Sequence, residues 1–132
     1  MENKKILIVD DDPDLTVAIK AILENKNYQV ITAINKEEGW KEIKSENPDL
    51  LILDVMMDTS HEGFEMAREI KKKSEYKYIP ILMLTSISEV TGVNFSAAAS
   101  DPDWLPADEY LDKPVEPEEL LKQIRVLLAE EE

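Results

Sequence analysis

Five short apolar runs recur along the chain, and stretches of a different period separate them. The runs are KKILIVD (4–10), YQVITAI (28–34), DLLILDV (49–55), IPILML (79–84) and YLDKP (110–114). They are brief and rich in leucine and β-branched residues. The first, third and fourth are apolar throughout their centres, as strands covered on both faces should be. The intervening stretches carry apolar residues at helical spacing. After the first run, Asp12 stands at a helix N-cap and Pro13 at the first helical position, ahead of a stripe of Leu15, Ala18, Ile19, Ile22 and Leu23. Asn35 and Glu38 have capping-box spacing before a helix that carries Trp40 and Ile43, and Asn47-Pro48 stops it. Residues 63–74 predict a third helix with Phe64, Ala67 and Ile70 inward and Lys71, Lys72 and Lys73 at its C-terminal end, where the helix dipole favours cations. The last helix has Pro117 near its start and Leu120, Leu121, Ile124, Leu127 and Leu128 as its stripe. Strand and helix alternating in this way predict an α/β domain: a doubly wound parallel sheet of five strands, with right-handed crossovers covering both faces. The rhythm fails only between the fourth and fifth runs, where Gly92, Pro102 and Pro106 interrupt the period.

Composition narrows the class. At 132 residues the chain suits one domain, read here as spanning 1–132, which buries roughly two-thirds of its unfolded surface. The absence of cysteine excludes disulfides, thiolate metal sites and cysteine nucleophiles. The N-terminal MENKKILIVDDD lacks the pattern of a signal peptide, and no apolar run approaches the ~18 residues of a spanning helix. These features read as a soluble cytoplasmic protein without membrane insertion. The formal charge of −14, from 29 acids against 15 bases, argues against direct DNA binding and favours cations or partners with basic patches.

The strand tips carry the chemistry. In a parallel sheet all C-terminal strand ends share one edge, and ligands of open α/β folds bind there. That edge would collect Asp11 and Asp12, Asp54, Thr85 and Ser86, and Lys113 from four separate segments. Three crowded carboxylates repel unless a cation offsets them. With oxygen donors only, the expected ion is hard, Mg2+ first. A carboxylate beside such an ion and a lysine can attack phosphorus and become an acyl phosphate, with the lysine and a threonine hydroxyl stabilising the developing charge. Each residue also has a plainer reading: Asp12 as a helix cap, Thr85 as the start of a turn, Lys113 as a surface lysine, Tyr110 as a half-buried strand residue, His61 as an exposed loop residue, and Trp40 and Trp104 as packing residues.

In this order and spacing, ILIVDDD, LLILDVMM, ILMLTS and YLDKP resemble the receiver domain of two-component response regulators over nearly the whole chain. The resemblance implies a flavodoxin-like sheet in the order 2-1-3-4-5. It implies Asp54 as phosphoacceptor, taking its phosphoryl group from the phosphohistidine of a histidine kinase or phosphotransfer protein. Asp11 and Asp12 would hold Mg2+ together with Asp54 and the backbone carbonyl of Met56. Thr85 would move toward the phosphoryl group, Lys113 would pair with it, and Tyr110 would follow Thr85. Signalling would proceed by docking onto an unknown effector protein, and catalysis would be limited to the acceptor itself.

The chain departs from the family pattern in two places. Asp58 stands where receivers commonly place a proline, and the following glycine is delayed to Gly63. The segment between Thr85 and Lys113 is longer than the pattern and broken by prolines, which predicts an irregular fourth-helix region and a rebuilt output face with Trp104 and Phe95 as anchors. Met56 and Ile87, each two residues past a site residue, are apolar and cannot orient a hydrolytic water, so slow self-dephosphorylation is expected. Three other readings compete. One is an aspartyl-phosphate phosphatase of the haloacid-dehalogenase type, although Met56 stands where that class has a second acid. Another is a flavodoxin-like cofactor carrier, although DDDPD would repel a phosphate. The last is a degenerate receiver that acts as a protein-binding module.

Overall fold

A computed structural model describes residues 4–54, 62–85, 108–112 and 115–129. Its elements are β1 Lys5–Val9, α1 Pro13–Glu24, β2 Gln29–Ala33, α2 Lys36–Glu46, β3 Leu50–Asp54, α3 Glu62–Lys72, β4 Ile81–Thr85, β5 Glu109–Asp112 and α4 Pro117–Leu127. The irregular fourth-helix region expected at residues 86–108 lies outside the described residues except for Asp108, so α4 denotes the C-terminal helix. The strands form one parallel sheet in the order β2-β1-β3-β4-β5, the doubly wound arrangement the alternation implied.

Period-2 alternation sends successive strand residues to opposite faces and so builds two cores. Leu7 and Val9 of β1, Leu51 and Leu53 of β3, and Ile81 and Met83 of β4 pack with Ile43 of α2 and Met66, Ala67 and Ile70 of α3. Ile6, Ile8, Leu50, Ile52, Leu82 and Leu84 pack instead with Ile19 and Leu23 of α1 and Leu120 and Ile124 of α4. All five residues of β3 are buried, because this strand is paired on both edges and covered on both faces. Of the expected helical stripes, Ala18 proves exposed, while Met66 enters the core without having been anticipated. The bulkier neighbours Leu15, Ile19 and Leu23 already cover the sheet beneath α1. Among the described residues, no helix is long and apolar enough to cross a membrane.

The caps form where the sequence placed them. The Asp12 carboxylate accepts from the backbone N–H groups of Asp14 and Leu15 at 3.0 and 3.3 Å, ahead of Pro13 at the first position of α1. Asn35 Oδ1 accepts from Glu38 N–H at 2.8 Å, and α2 ends on Asn47 in the left-handed region at φ 52°. Helices α2 and α3 are tied through Glu69, whose carboxylate accepts from the Lys36 ammonium and, at 3.2 Å, from Trp40 Nε1. The hydrogen bond to Glu69 holds the Lys36 ammonium above its ordinary range, so its stabilising contribution is complete below the unfolded value and is lost only as pH rises through the raised one.

Gly39 lets α2 lie close against the sheet. A Cβ there would meet Met66 Cε at 2.8 Å and Val9 Cγ2 at 3.1 Å. Gly39→Ala is expected to leave stability nearly unchanged, because a helix-propensity gain of up to about 1 kcal/mol offsets the displacement of the flexible Met66 end. Gly39→Leu adds three further carbons to a space where the Cβ alone already presses on Met66 and Val9, and is expected to cost about 1–3 kcal/mol, read as a lower urea midpoint at unchanged slope.

Candidate functional site

Strand register decides which acids meet. Val9 of β1 pairs with Leu53 of β3, so one further step along both strands brings Asp10 level with Asp54. Asp54 in turn pairs with Leu84 of β4, and Thr85 follows opposite Asp112 of β5. Four strand tips therefore finish along one edge within a residue or two of each other. By alternation, Asp10 continues the face of Ile6 and Ile8, and Asp54 that of Leu50 and Ile52. Both acids thus belong to the α1/α4 side of the sheet.

Asp10 is 1% exposed and Asp54 6%, whereas Asp11 is open to solvent. One carboxylate oxygen from each of Asp10, Asp11 and Asp54 lies within 4.8 Å of the other two. The turn that presents them is built from the same acids. Asp10 N–H donates to the Ala33 carbonyl at 3.1 Å, extending the β1–β2 ladder, and Asp10 Oδ1 accepts from Asp12 N–H at 2.9 Å. Asp12 then caps α1, and its carbonyl accepts from Thr16 Oγ1 at 2.9 Å.

This arrangement corrects one expectation. The structure brings Asp10, and not Asp12, to Asp11 and Asp54. Asp12 is exposed, with its carboxylate engaged by the first turn of α1, and it stands beyond the sheet register that aligns Asp10 with Asp54. The sequence held the signal for Asp10: ILIV-Asp10 and LLIL-Asp54 are matching runs of four apolar residues that each end in an acid. Two parallel strands paired in register must juxtapose those endings.

The other expected residues fall variously. Tyr110 lies on β5 level with Met83, half-buried against the α2/α3 core, as a strand residue does. Thr85 closes β4 at the same edge as the acids. Lys113, Met56 and Ile87 lie outside the described residues, as do Asp58, His61, Phe95 and Trp104.

The donor set fits a hard cation. All three donors are carboxylate oxygens, and among the described residues no histidine or cysteine joins the cluster. An octahedral ion with bonds of 2.0–2.1 Å holds adjacent oxygens about 3 Å apart and opposite ones about 4 Å apart. Oxygens within 4.8 Å of one another reach that spacing by small rotations. Two carboxylates withdrawn from water beside a third repel strongly, and a shared cation offsets that cost. The positive end of the α1 dipole adds a smaller contribution of the same sign.

Comparison with known proteins agrees with this architecture. The family described as the response regulator receiver domain matches residues 6–125. PhoP of Bacillus subtilis, the alkaline phosphatase synthesis transcriptional regulatory protein, is 35% identical over 98% of this chain and 50% of its own length. Protein PilH of Pseudomonas aeruginosa is 34% identical over 95% of this chain and 98% of its own. The chain thus spans about half the length of PhoP and nearly all of PilH. Among solved structures, a response regulator of Chloroflexus aurantiacus superposes with a TM-score of 0.82 at 32% identity, covering 97% of this chain and 99% of the other. Response regulator TrrA of Thermotoga maritima, solved in complex with Mg(2+)-BeF, gives 0.76 at 37% identity over 94% of this chain and 98% of its own. The family match runs from inside β1 to inside α4 and so takes in every strand tip that carries a candidate group: the chain is a receiver domain of the two-component response regulators.

Proposed function

We propose that this receiver is a phosphoryl switch with Asp54 as acceptor. The observation that carries the reading is the packing of Asp54 with Asp10 and Asp11 at the C-terminal edge of the sheet, where a buried carboxylate sits beside a cluster fit for a hard ion. An Asp54 carboxylate oxygen attacks the phosphorus of a phosphohistidine in a histidine kinase or phosphotransfer protein. The phosphorus–nitrogen bond breaks, the imidazole leaves with its electron pair and takes up a proton, and an aspartyl phosphate results. Asp10 and Asp11 would hold Mg2+, with Asp54 and the Met56 carbonyl completing the protein's share. Once bound, Mg2+ offsets the charge on the phosphoryl oxygens. Lys113 supplies a second positive charge, and Thr85 a hydroxyl, to those oxygens. Asp12 contributes by capping α1 and so fixing the turn that carries Asp11.

On this reading the chain is no turnover enzyme, and it catalyses only the gain and loss of its own phosphoryl group. It works in the cytoplasm and signals to an effector protein by docking, without contacting DNA through this domain. The TrrA complex with Mg(2+)-BeF supports the metal assignment by analogy. The dehalogenase-type alternative is not favoured, since Met56 stands at the position of that class's second acid and the family match lies elsewhere.

Incubation with Mg2+ and acetyl phosphate is expected to add one phosphoryl mass to the intact protein. Asp54→Asn should abolish the increment and Lys113→Ala should reduce it strongly, whereas full labelling of Asp54→Asn would refute the assignment. The acid cluster should also destabilise the metal-free fold. In EDTA, Asp54→Asn is expected to raise stability by about 1–2 kcal/mol, and added Mg2+ should raise the melting temperature of wild type far more than that of the variant. Finally, the aspartyl phosphate should be long-lived, because Met56 and Ile87 cannot orient water. Met56→Asn is expected to shorten its lifetime severalfold, as followed by the decay of the added mass.

A further inference from the structure

The α2/α3 layer carries a feature that the phosphoryl site does not use. Between these helices runs a groove of about 740 Å³ lined by Lys36, Lys41, Lys44 and Lys73, with Glu37 and Glu69 the acids among its lining. Four ammonium groups against these two carboxylates and Glu65, which pairs with Lys36 at 3.5 Å, leave it locally cationic on a chain whose net charge is −14. One of those carboxylates, Glu69, is already engaged by Lys36 and by Trp40 Nε1.

Trp40 lines the groove and organises its charge. The Lys44 and Lys73 ammonium groups lie 5.9 and 5.7 Å from the indole centroid, and Tyr76 meets the ring edge-on at 5.7 Å. A cation–π contact uses one side of an ammonium and leaves N–H donors for an incoming anion. With two cations over the indole and Tyr76 against it, the ring is not open to stack a base. The groove therefore presents charge held in place by an aromatic anchor.

We propose that this groove docks a short acidic segment of a partner protein. Charge complementarity selects an anion, and the length scale selects a short one. The cationic surplus is confined to the lining lysines, and a long polyanion would run out onto the remainder of a chain whose net charge is −14. Nucleic acid, with a charge every ~1.7 Å of duplex, is disfavoured on that ground and again by Glu37 in the lining. The groove belongs to the layer over Leu7, Val9, Leu51 and Leu53, whereas Asp10 and Asp54 continue the opposite face. Docking here is thus independent of the acceptor site, and the inference stands whether or not Asp54 is the acceptor.

The test is a ¹⁵N–¹H titration of the full chain with capped octaglutamate in low-salt buffer. Saturable shifts are expected at the Trp40 indole N–H and at amides of residues 36–44 and 69–76, weakening steeply with added salt. The triple variant Lys41→Ala, Lys44→Ala, Lys73→Ala, which keeps the Lys36–Glu69 tie, should bind about tenfold more weakly. Its spectrum should remain dispersed and its labelling by acetyl phosphate unchanged. Absence of saturable shifts, shifts centred elsewhere, or wild-type affinity in a folded triple variant would overturn the proposal. Tighter binding of an octathymidylate at the same residues would overturn the choice of a peptide ligand.

Discussion

The in-register burial of β3 between β1 and β4 is the constraint on which the rest of the molecule depends. Leu50, Leu51, Ile52 and Leu53 are all fully buried, worth about 1.5–3 kcal/mol each relative to exposure, and the strand ends in Asp54 at 6% exposure. Withdrawing that carboxylate from water costs several kcal/mol, so the four side chains before it must outweigh the penalty, and at roughly 6–12 kcal/mol together they do. Register then leaves little choice about neighbours. A slip of one residue would turn Leu51 and Leu53 from the α2/α3 core to the other face and drive Asp54 into the apolar side they had left. The apolar pattern that holds the fold together thereby also aims the acid.

The same economy governs the β1–α1 turn, where three consecutive aspartates do three different jobs. Asp10 closes the strand and accepts from the backbone of Asp12, while Asp12 caps the helix. Asp11 between them remains exposed, with an oxygen within 4.8 Å of the two buried acids. Because Asp10 serves the turn through one oxygen and the cluster through its position, local folding and site geometry are coupled there. Asp12 is the acid whose contribution is an N-cap's ordinary ~1 kcal/mol, separate from the cluster.

The fold was legible in the sequence because its signals are redundant. Each core strand declares itself by an apolar run, each helix by its stripe, and Asp12, Pro13, Asn35 and Asn47 mark boundaries within a residue or so of those observed. The site was legible only in part. Asp54 stands alone after its run, so nothing competes for its assignment. In the triple aspartate the N-cap signal at Asp12 drew attention one position too far, since sequence spacing does not say which residue a neighbouring strand will face. Only register does, through Val9 opposite Leu53. Trp40 was read as a packing residue, and it packs against the α2/α3 core. Its second role, gathering Lys44 from its own helix and Lys73 from beyond α3, depends on how two helices pack, which spacing along either one does not encode.

Alternation also explains how one small sheet carries two electrostatic surfaces of opposite sign without mutual cancellation. Residues 6, 8 and 10 of β1 face one helical layer and residues 7 and 9 the other, so the buried acids and the lysines of the α2/α3 layer belong to different faces of the sheet. Exposed charges more than a Debye length apart are largely screened from each other at physiological ionic strength. The buried carboxylates, screened less, respond chiefly to what binds beside them. A change of charge at the acid edge therefore acts first on its own rim and on the strand ends. Two partners recognised by opposite charge can in principle occupy this domain together, and the geometry that permits it is the period of two along a buried strand.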